Sequence, residues 1–470
     1  MEKNTVKNIH FMGIGGSALS AVAIIARKQG YVVSGCDLES ETPYIEKVKA
    51  SEINIFKGHS LKHVDGADLV VISPAIEFQN NKHEEYLKAK TNGKLMVWDK
   101  FVGDFLLKNN KTISIAGTHG KSTTTALLAL LYEKAGLDPS VIVGATVKEW
   151  KTNYRLGDSN LFVIEADEFY DKYLSYKTQY AVINNIEYDH PDYFSSEEEM
   201  LHSFEKFVET IQGEKKLVLN LDSAGVKKLV DRMPDVLNTL DVYGYTMRKK
   251  PLLMVKNRLF GEILRKDEGK TVFRATSNSL DIDEDFELTI PGDHNVYNAL
   301  GVIVMGKLFG IGVETIKKVL KDFQGIGRRM DLIGNKGEVK VYDDYAHHPT
   351  AVRETLNALR QKHPKERIVA IIEAHSYSRT KALLDEYKGV FDKVDKVIVA
   401  PIFKARDVND FGITGQSIVD ISGHNEIVYI DSFEKIVKAV CGEVRSGDVV
   451  IVMGAGKSYQ LASDILKSLK

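Results

Sequence analysis

Lys121 and Ser122 close the run GTHGKS at residues 117–122, and they are the residue types that hold a nucleoside triphosphate. The lysine offers a positive charge for the outer phosphates and the serine a hydroxyl for the accompanying Mg²⁺. The run is short for such a loop. The common pattern has a first glycine about five residues ahead of the second; counting back from Gly120 lands on Ile115, and the nearest upstream glycine is Gly117. Placement decides in favour of phosphate. TISIA before the run reads as a buried strand, and STTTALLALLYEKAG after it carries apolar residues at 127, 128, 130 and 131, a helical spacing. The run therefore sits at a strand-to-helix turn, where backbone amides and the helix dipole favour an anion.

A triphosphate also needs acids for its metal. LFVIEADE delivers Glu165 at the end of an apolar strand, with Asp167 and Glu168 as neighbours. Some twenty-five residues later YAVINNIEYDH ends another strand at His190, whose neutral imidazole is a candidate ligand for a second metal. A second glycine loop, GIGGS, lies near the amino terminus. Gly13, Gly15 and Gly16 let backbone approach a pyrophosphate, Ala18 takes the place of the third fingerprint glycine, and Asp37 ends the next strand where a dinucleotide fold puts its ribose acid. On that loop alone an NAD-dependent dehydrogenase is a live reading, but it leaves GTHGKS and EADE without a purpose.

The elements that must position these residues alternate. Val- and Ile-rich runs alternate with amphipathic stretches, the pattern of parallel sheets covered by helices on both faces. The expected fold class is α/β in three domains: a Rossmann-like unit over 1–110, a central phosphate-loop unit with a mixed sheet over 111–326, and a second Rossmann-like unit over 327–470. FQGIGRRMDLIGNKGE reads as the linker into the third unit. The 470 residues suffice for three separate cores. With 63 basic against 65 acidic residues there is no global field to draw the chain onto nucleic acid or an anionic membrane. The charge runs EEE at 197–199 and RKK at 248–250 read as solvated faces. Cys36 and Cys441 read as buried thiols of a reducing compartment. MEKNTVKNIHFMGIGG enters a strand with none of the regions of a signal peptide, and no apolar run approaches the roughly 18 residues of a membrane helix. A soluble cytoplasmic protein, monomeric or weakly dimeric, is expected.

GTHGKS, EADE, NNIEYDH, PGDHNVYNA, GIGRR and YDDYAHHPT, in this order along essentially the whole chain, resemble the Mur ligase family of ATP-dependent amino-acid ligases. The shortened phosphate loop is that family's own version. The resemblance implies a UDP-binding first domain, a central ATPase and a third domain that brings the amino acid. It further implies that ATP phosphorylates a carboxylate of the UDP-sugar and that an amine attacks the acyl phosphate. IHFMGIGGS, VSGCD and SRT look most like the branch that joins L-alanine to the lactyl carboxylate of UDP-N-acetylmuramate. The central stretch also has a flavour of the relative that attaches a recycled tripeptide to the same sugar.

By position, the resemblance places Gly15, Gly16, Ser17, Asp37, His59 and Ser73 at the UDP-sugar. It places Gly117, Thr118, His119, Gly120, Lys121, Ser122, Thr123, Asn295, Arg328 and Asp344 at ATP, with Lys121, Glu165, His190 and Arg329 as the catalytic set. Ser122, Glu165 and His190 fall at Mg²⁺, and His347, His348, His375 and Arg379 at the amino-acid end. Arg328 and Arg329 read equally as hinge ion pairs, one of His347 and His348 as a helix cap before Pro349, and Asn298 as a packing contact. Two departures stand out. Ser376 and Asp99 occupy places where the L-alanine branch has arginines. No carbamylated lysine is expected, because the spacing from His190 reaches Glu205, with Lys206 next.

Overall fold

The computed structural model describes residues 6–38 and 43–469. Residues 1–5, part of the amino-terminal stretch read above as running into a strand, lie outside the described residues. Three sheets organise the molecule. The first is wholly parallel, in the spatial order Asn54–Lys57, Val32–Asp37, Asn8–Met12, Leu69–Ile72, Leu95–Val97. The chain moves outward from Asn8–Met12 on both sides, so the loop after that strand opens at the crevice where ligands of such sheets bind. The expected Rossmann-like unit is present.

The central sheet has ten strands, in the order Ile282–Leu288, Lys270–Ser277, Asn257–Asp267, Asp241–Thr246, Lys216–Asn220, Thr178–Ile183, Lys111–Ala116, Leu161–Glu165, Ser140–Val147, Thr152–Arg155. Its middle is parallel and both ends are antiparallel, so the sheet is mixed as expected. Lys111–Ala116 lies between Thr178–Ile183 and Leu161–Glu165. That order brings the phosphate loop, EADE and NNIEYDH to one edge. The helix Lys121–Lys134 is buried almost all round rather than amphipathic, because Asp293–Leu308 packs on it and covers the face that would otherwise meet water.

The third sheet runs Asp331–Lys336, Val339–Asp344, Val449–Gly454, Ile368–Glu373, Lys396–Val399, Ile427–Tyr429. Its antiparallel edge strand is a correction. Asp331–Lys336, expected as part of the linker, instead pairs with Val339–Asp344 through a turn at Gly337. Cys441 is a second correction: it is partly buried, whereas Cys36 is fully buried. The charge runs at 197–199 and 248–250 are exposed as expected, with Glu197 and Glu198 paired to Lys228 and Arg232. One apolar core runs unbroken from Phe11 and Val71 of the first unit to Phe162 and Phe204 of the central one. Gly103 permits that contact, since a Cβ there would stand 1.9 Å from Ser175 O. No helix among the described residues is long and apolar enough to cross a membrane.

Candidate active site

The phosphate loop is shaped by its glycines and braced by the strand end beside it. Gly117 and Gly120 have φ of 124° and 79°, conformations that side chains resist. A Cβ on Gly120 would also stand 2.4 Å from Asn298 Oδ1, so Asn298 is a packing contact of the loop. Thr118 Oγ1 donates to Glu187 O and accepts from Glu187 N, both at 2.9 Å, and the His119 amide donates to Asn185 Oδ1 at 2.8 Å. The His119 ring meets Glu187 Oε2 at 3.2 Å. Burial acts to raise the Glu187 carboxyl, but the bond and charge of His119, with Thr350 and His348, together outweigh it and the carboxyl falls to about 2.

Lys121 Nζ donates to Gly117 O at 2.7 Å and to both carboxylate oxygens of Glu168, at 3.0 and 2.8 Å. Burial acts to lower its pKa, but Glu168, Asp167 and Glu165 together hold it raised. The lysine therefore keeps its charge. Ser122 is buried and meets Glu165, whose carboxylate also accepts the Gly144 amide at 2.7 Å. Asp167, Glu168 and His190 form a separate group whose ligand atoms lie within 4.8 Å of one another. His190 has φ of 56°, and its ring stacks on Phe169 with centroids 4.4 Å apart. Two oxygen-rich groups thus flank Lys121: Ser122 with Glu165, and Asp167 and Glu168 with His190. Hard oxygen donors with one imidazole, beside a phosphate loop, fit Mg²⁺.

The third unit closes on this edge. Arg379 Nε donates to Asp189 Oδ1 at 2.6 Å, with both side chains buried, while its Nη1 and Nη2 reach His375 Nδ1 and His190 Nδ1, each at 3.1 Å. Arg406 lies over the Phe169 ring and 3.9 Å from Asp192. His348 is the helix cap: its Nδ1 accepts from Thr350 N, so Nε2 carries the proton and faces Tyr188 O at 3.3 Å. Burial, reinforced by neighbouring charge, pushes His348 down to about 4 and His375 down to about 3, so both are neutral. His347 packs between Tyr345 and His375. Ser376 caps the helix Tyr377–Ala382 by accepting from Arg379 N at 3.1 Å.

Other expected residues are engaged differently. Arg328 is spent inside the third unit, on Asp343 Oδ2 at 2.9 Å, Gly454 O and Ser458 Oγ. Arg329 lies over the Tyr345 ring, close enough to Asp344 and His294 to act on their charge. Asp344 accepts the Met330 and Ala346 amides, each at 2.7 Å, and so locks the linker onto the third sheet. Asn295 donates to Pro291 O at 2.7 Å and accepts from Asn298. Thr123 is buried on the first turn of the loop's helix.

In the first unit Gly13 and Ile14 amides donate to Cys36 O, and the Gly15 amide donates to Asp37 Oδ2 at 2.8 Å. Gly16 and Ser17 are exposed at the start of the helix Ser17–Lys28, where Asn153 of the central unit donates to Ser17 O. His59 is buried beside Cys36, and Ser73 precedes Pro74 at a helix start. Reading the sequence assigned no role to Asn184, Asn185, Glu187 or Asp189. Their signal was the polar run NNIEYDH after an apolar strand.

The comparisons with known proteins agree along the chain. Residues 8–95 match the Mur ligase family catalytic domain, 115–306 the Mur ligase middle domain, and 328–456 the Mur ligase glutamate ligase domain. The UDP-N-acetylmuramate–L-alanine ligases of Alkaliphilus metalliredigens and Caldicellulosiruptor bescii are each 35% identical, over 99% and 97% of this chain and 98% of theirs. Among solved structures, the UDP-N-acetylmuramate–alanine ligase of Thermotoga maritima superposes with a TM-score of 0.76 at 24% identity, covering 98% of both chains. A murein peptide ligase of Psychrobacter arcticus gives 0.69 at 24% identity, also covering 98% of both chains. The structural likenesses speak to the fold.

Proposed function

The chain belongs to the Mur ligase family, and from that premise we infer that it joins L-alanine to the lactyl carboxylate of UDP-N-acetylmuramate, consuming ATP and releasing ADP and phosphate. A carboxylate does not accept an amine at neutral pH. Transfer of the γ-phosphoryl group turns one carboxylate oxygen into a leaving group, and the amine then displaces phosphate to form the amide. The observation that carries this reading is Arg379, which ties the third unit to Asp189 and His190 at the edge that holds Lys121.

On this reading the loop from Gly117 to Thr123 cradles the β- and γ-phosphates. Lys121 exchanges its carbonyl contact for phosphate oxygens and keeps Glu168 as its counter-charge. Phosphoryl transfer asks little covalent work of a protein, so positioned charge is the main contribution. Ser122 with Glu165, and His190 with Asp167 and Glu168, would hold Mg²⁺, which when bound neutralises phosphate charge. Arg329 is the better placed of the two linker arginines to reach the γ-phosphate, since the Arg328 guanidinium is already spent. Asn295 and Asp344 are assigned to adenosine. His347, His375 and Arg379 line the amino-acid end. The first loop, with Asp37, His59 and Ser73, is assigned to the UDP moiety.

Ser376 favours keeping a second acceptor in view. It is buried and uncharged, so the carboxylate anchor that an arginine would give L-alanine is missing at that place. The test is incubation with ATP, Mg²⁺, UDP-N-acetylmuramate and a panel of amino acids plus a tripeptide acceptor, followed by mass analysis. A gain of one alanine residue is expected. Gain of the tripeptide alone would reassign the acceptor, and no gain with any amine would overturn the ligase reading.

A further inference from the structure

Behind the first glycine loop, four segments distant in sequence bring metal-ligating side chains to one point. His10 comes from the first strand, Cys36 from the second, His63 from the short turn Lys62–Asp65, and Glu85 from the helix Glu84–Thr91. One ligand atom from each lies within 4.8 Å of all the others. His10 Nε2 is 3.1 Å from Glu85 Oε1, His63 Nδ1 is 3.2 Å from Glu85 Oε2, and Cys36 Sγ is 3.4 Å from Glu85 Oε1. A tetrahedral zinc ion, with bonds of about 2.0–2.3 Å, sets donor-to-donor separations of roughly 3.3–3.7 Å. These three contacts to Glu85 need to open by only a few tenths of an ångström, and the remaining separations, none above 4.8 Å, need to close by about 1 Å at most. We propose that His10, Cys36, His63 and Glu85 form a closed structural site for Zn²⁺ or a like divalent transition metal, separate from the ATP site.

Three further observations support the assignment. The set is dry: His10, Cys36 and Glu85 are essentially without solvent exposure, and the His63 side chain is 10% exposed. The surrounding contacts orient the ligands as metal sites require, with Ser34 Oγ 2.9 Å from His10 Nδ1 and the Ser60 amide donating to Glu85 Oε2 at 2.7 Å. His59 lies against the same thiol at 3.1 Å, and its buried Nε2 has no hydrogen-bond partner among the described residues. The chemistry selects the ion. A thiolate with two imidazoles suits zinc and cobalt, whereas Mg²⁺ calls for oxygen donors. On binding, the Cys36 thiol gives its proton to solvent and the thiolate, the Glu85 carboxylate and two neutral imidazoles complete four-coordination. The ion would pin the turn Lys62–Asp65 and the helix Glu84–Thr91 to the sheet directly behind Asp37, whose carboxylate holds the Gly15 amide.

The full chain, stripped of metal with a chelator and returned to buffer with excess Mg²⁺, is titrated with Co²⁺ alone. The expected result is one cobalt per chain, with a thiolate-to-cobalt charge-transfer band and the intense visible bands of tetrahedral coordination, all erased by one equivalent of Zn²⁺. Neither Asp167, Glu168 and His190 nor His119, Glu187 and His348 contains sulfur, so those groups cannot give the charge-transfer band. Cys36→Ser abolishes that band. His63→Gln, at the rim of the site and checked for folding by circular dichroism, keeps the thiolate band but weakens cobalt binding at least about tenfold. Absence of the band in the unaltered chain, its persistence in Cys36→Ser, or unchanged affinity in His63→Gln would each overturn the proposal.

Discussion

Two loops in this molecule follow the same strand, glycine, helix pattern, and their surroundings make them different instruments. At Gly13–Ser17 the amides rest on Cys36 O and on a single carboxylate, Asp37, and the helix start is exposed. At Gly117–Ser122 the loop is braced by Thr118, Asn185 and Glu187, and an ammonium is held by Glu168 within a group of three acids. The glycines supply room in both. What differs is the charge delivered by neighbouring strand ends. A carboxylate acceptor suits hydroxyl and N–H donors such as those of a nucleoside, whereas a buried ammonium suits a group whose negative charge shifts during reaction. On the proposed function, the first loop would hold substrate and the second would act in the reaction.

The largest effect should come from removing the charge. Lys121→Met is expected to lower kcat by about a hundredfold to a thousandfold, while Asp37→Asn raises KM for the UDP-sugar by about tenfold and leaves kcat near its original value. Steady-state kinetics on both variants checks this, and an equal loss of kcat in the two would erase the distinction between the loops. Arg379→Lys should follow, with kcat/KM down by about tenfold to a hundredfold, because one ammonium cannot reproduce the fork that meets Asp189, His190 and His375 together. If that variant keeps full activity, the third unit does not complete the reactive loop.

A smaller and purely structural contrast lies in the glycines. Gly120→Ala places a Cβ at φ of 79° against Asn298 and should destabilise the chain by about 1–3 kcal/mol, whereas Gly16→Ala, whose φ is −68°, should cost about 1 kcal/mol or less. Denaturant midpoints measure both. The smallest effect concerns pH. His348 and His375 are held at about 4 and about 3, below their unfolded value near 6.5. The unfolded chain therefore binds more protons between those limits, and the stability these residues contribute is full above about pH 6.5 and lost as pH falls toward 4. His348→Gln should flatten the decline between pH 6.5 and 5 by on the order of 1 kcal/mol. Glu187, held down to about 2, weakens the loop only at pH below its ordinary range near 4.5. The two contributions therefore separate along the pH axis.

Much of this was legible in the residues. Strand and helix periods are local, so the three α/β units, both glycine loops and the strand-end acids follow from spacing alone. The capping role open to His347 or His348 follows from the proline after them, and His348 takes it. Two features escape local spacing for a shared reason, the nearly all-round burial of one expected helix and the existence of one strand. The helix Lys121–Lys134 is buried almost all round because Asp293–Leu308 covers it, and the edge strand Asp331–Lys336 exists because Val339–Asp344 is there to pair with it. A partner supplied from elsewhere in the chain leaves no mark on local periodicity.

Residue types and their order along the chain already say which side chains could carry charge at a phosphate loop. That Lys121 pairs with Glu168, that Glu165 instead serves Ser122 and the Gly144 amide, and that Arg379 crosses to Asp189 emerges only in the folded chain. The physical reason is the order of strands in the central sheet. Thr178–Ile183 and Leu161–Glu165 flank Lys111–Ala116 on opposite sides, so acids and histidine arrive at the ammonium from both directions, at separations that pairing across a sheet sets and sequence distance does not.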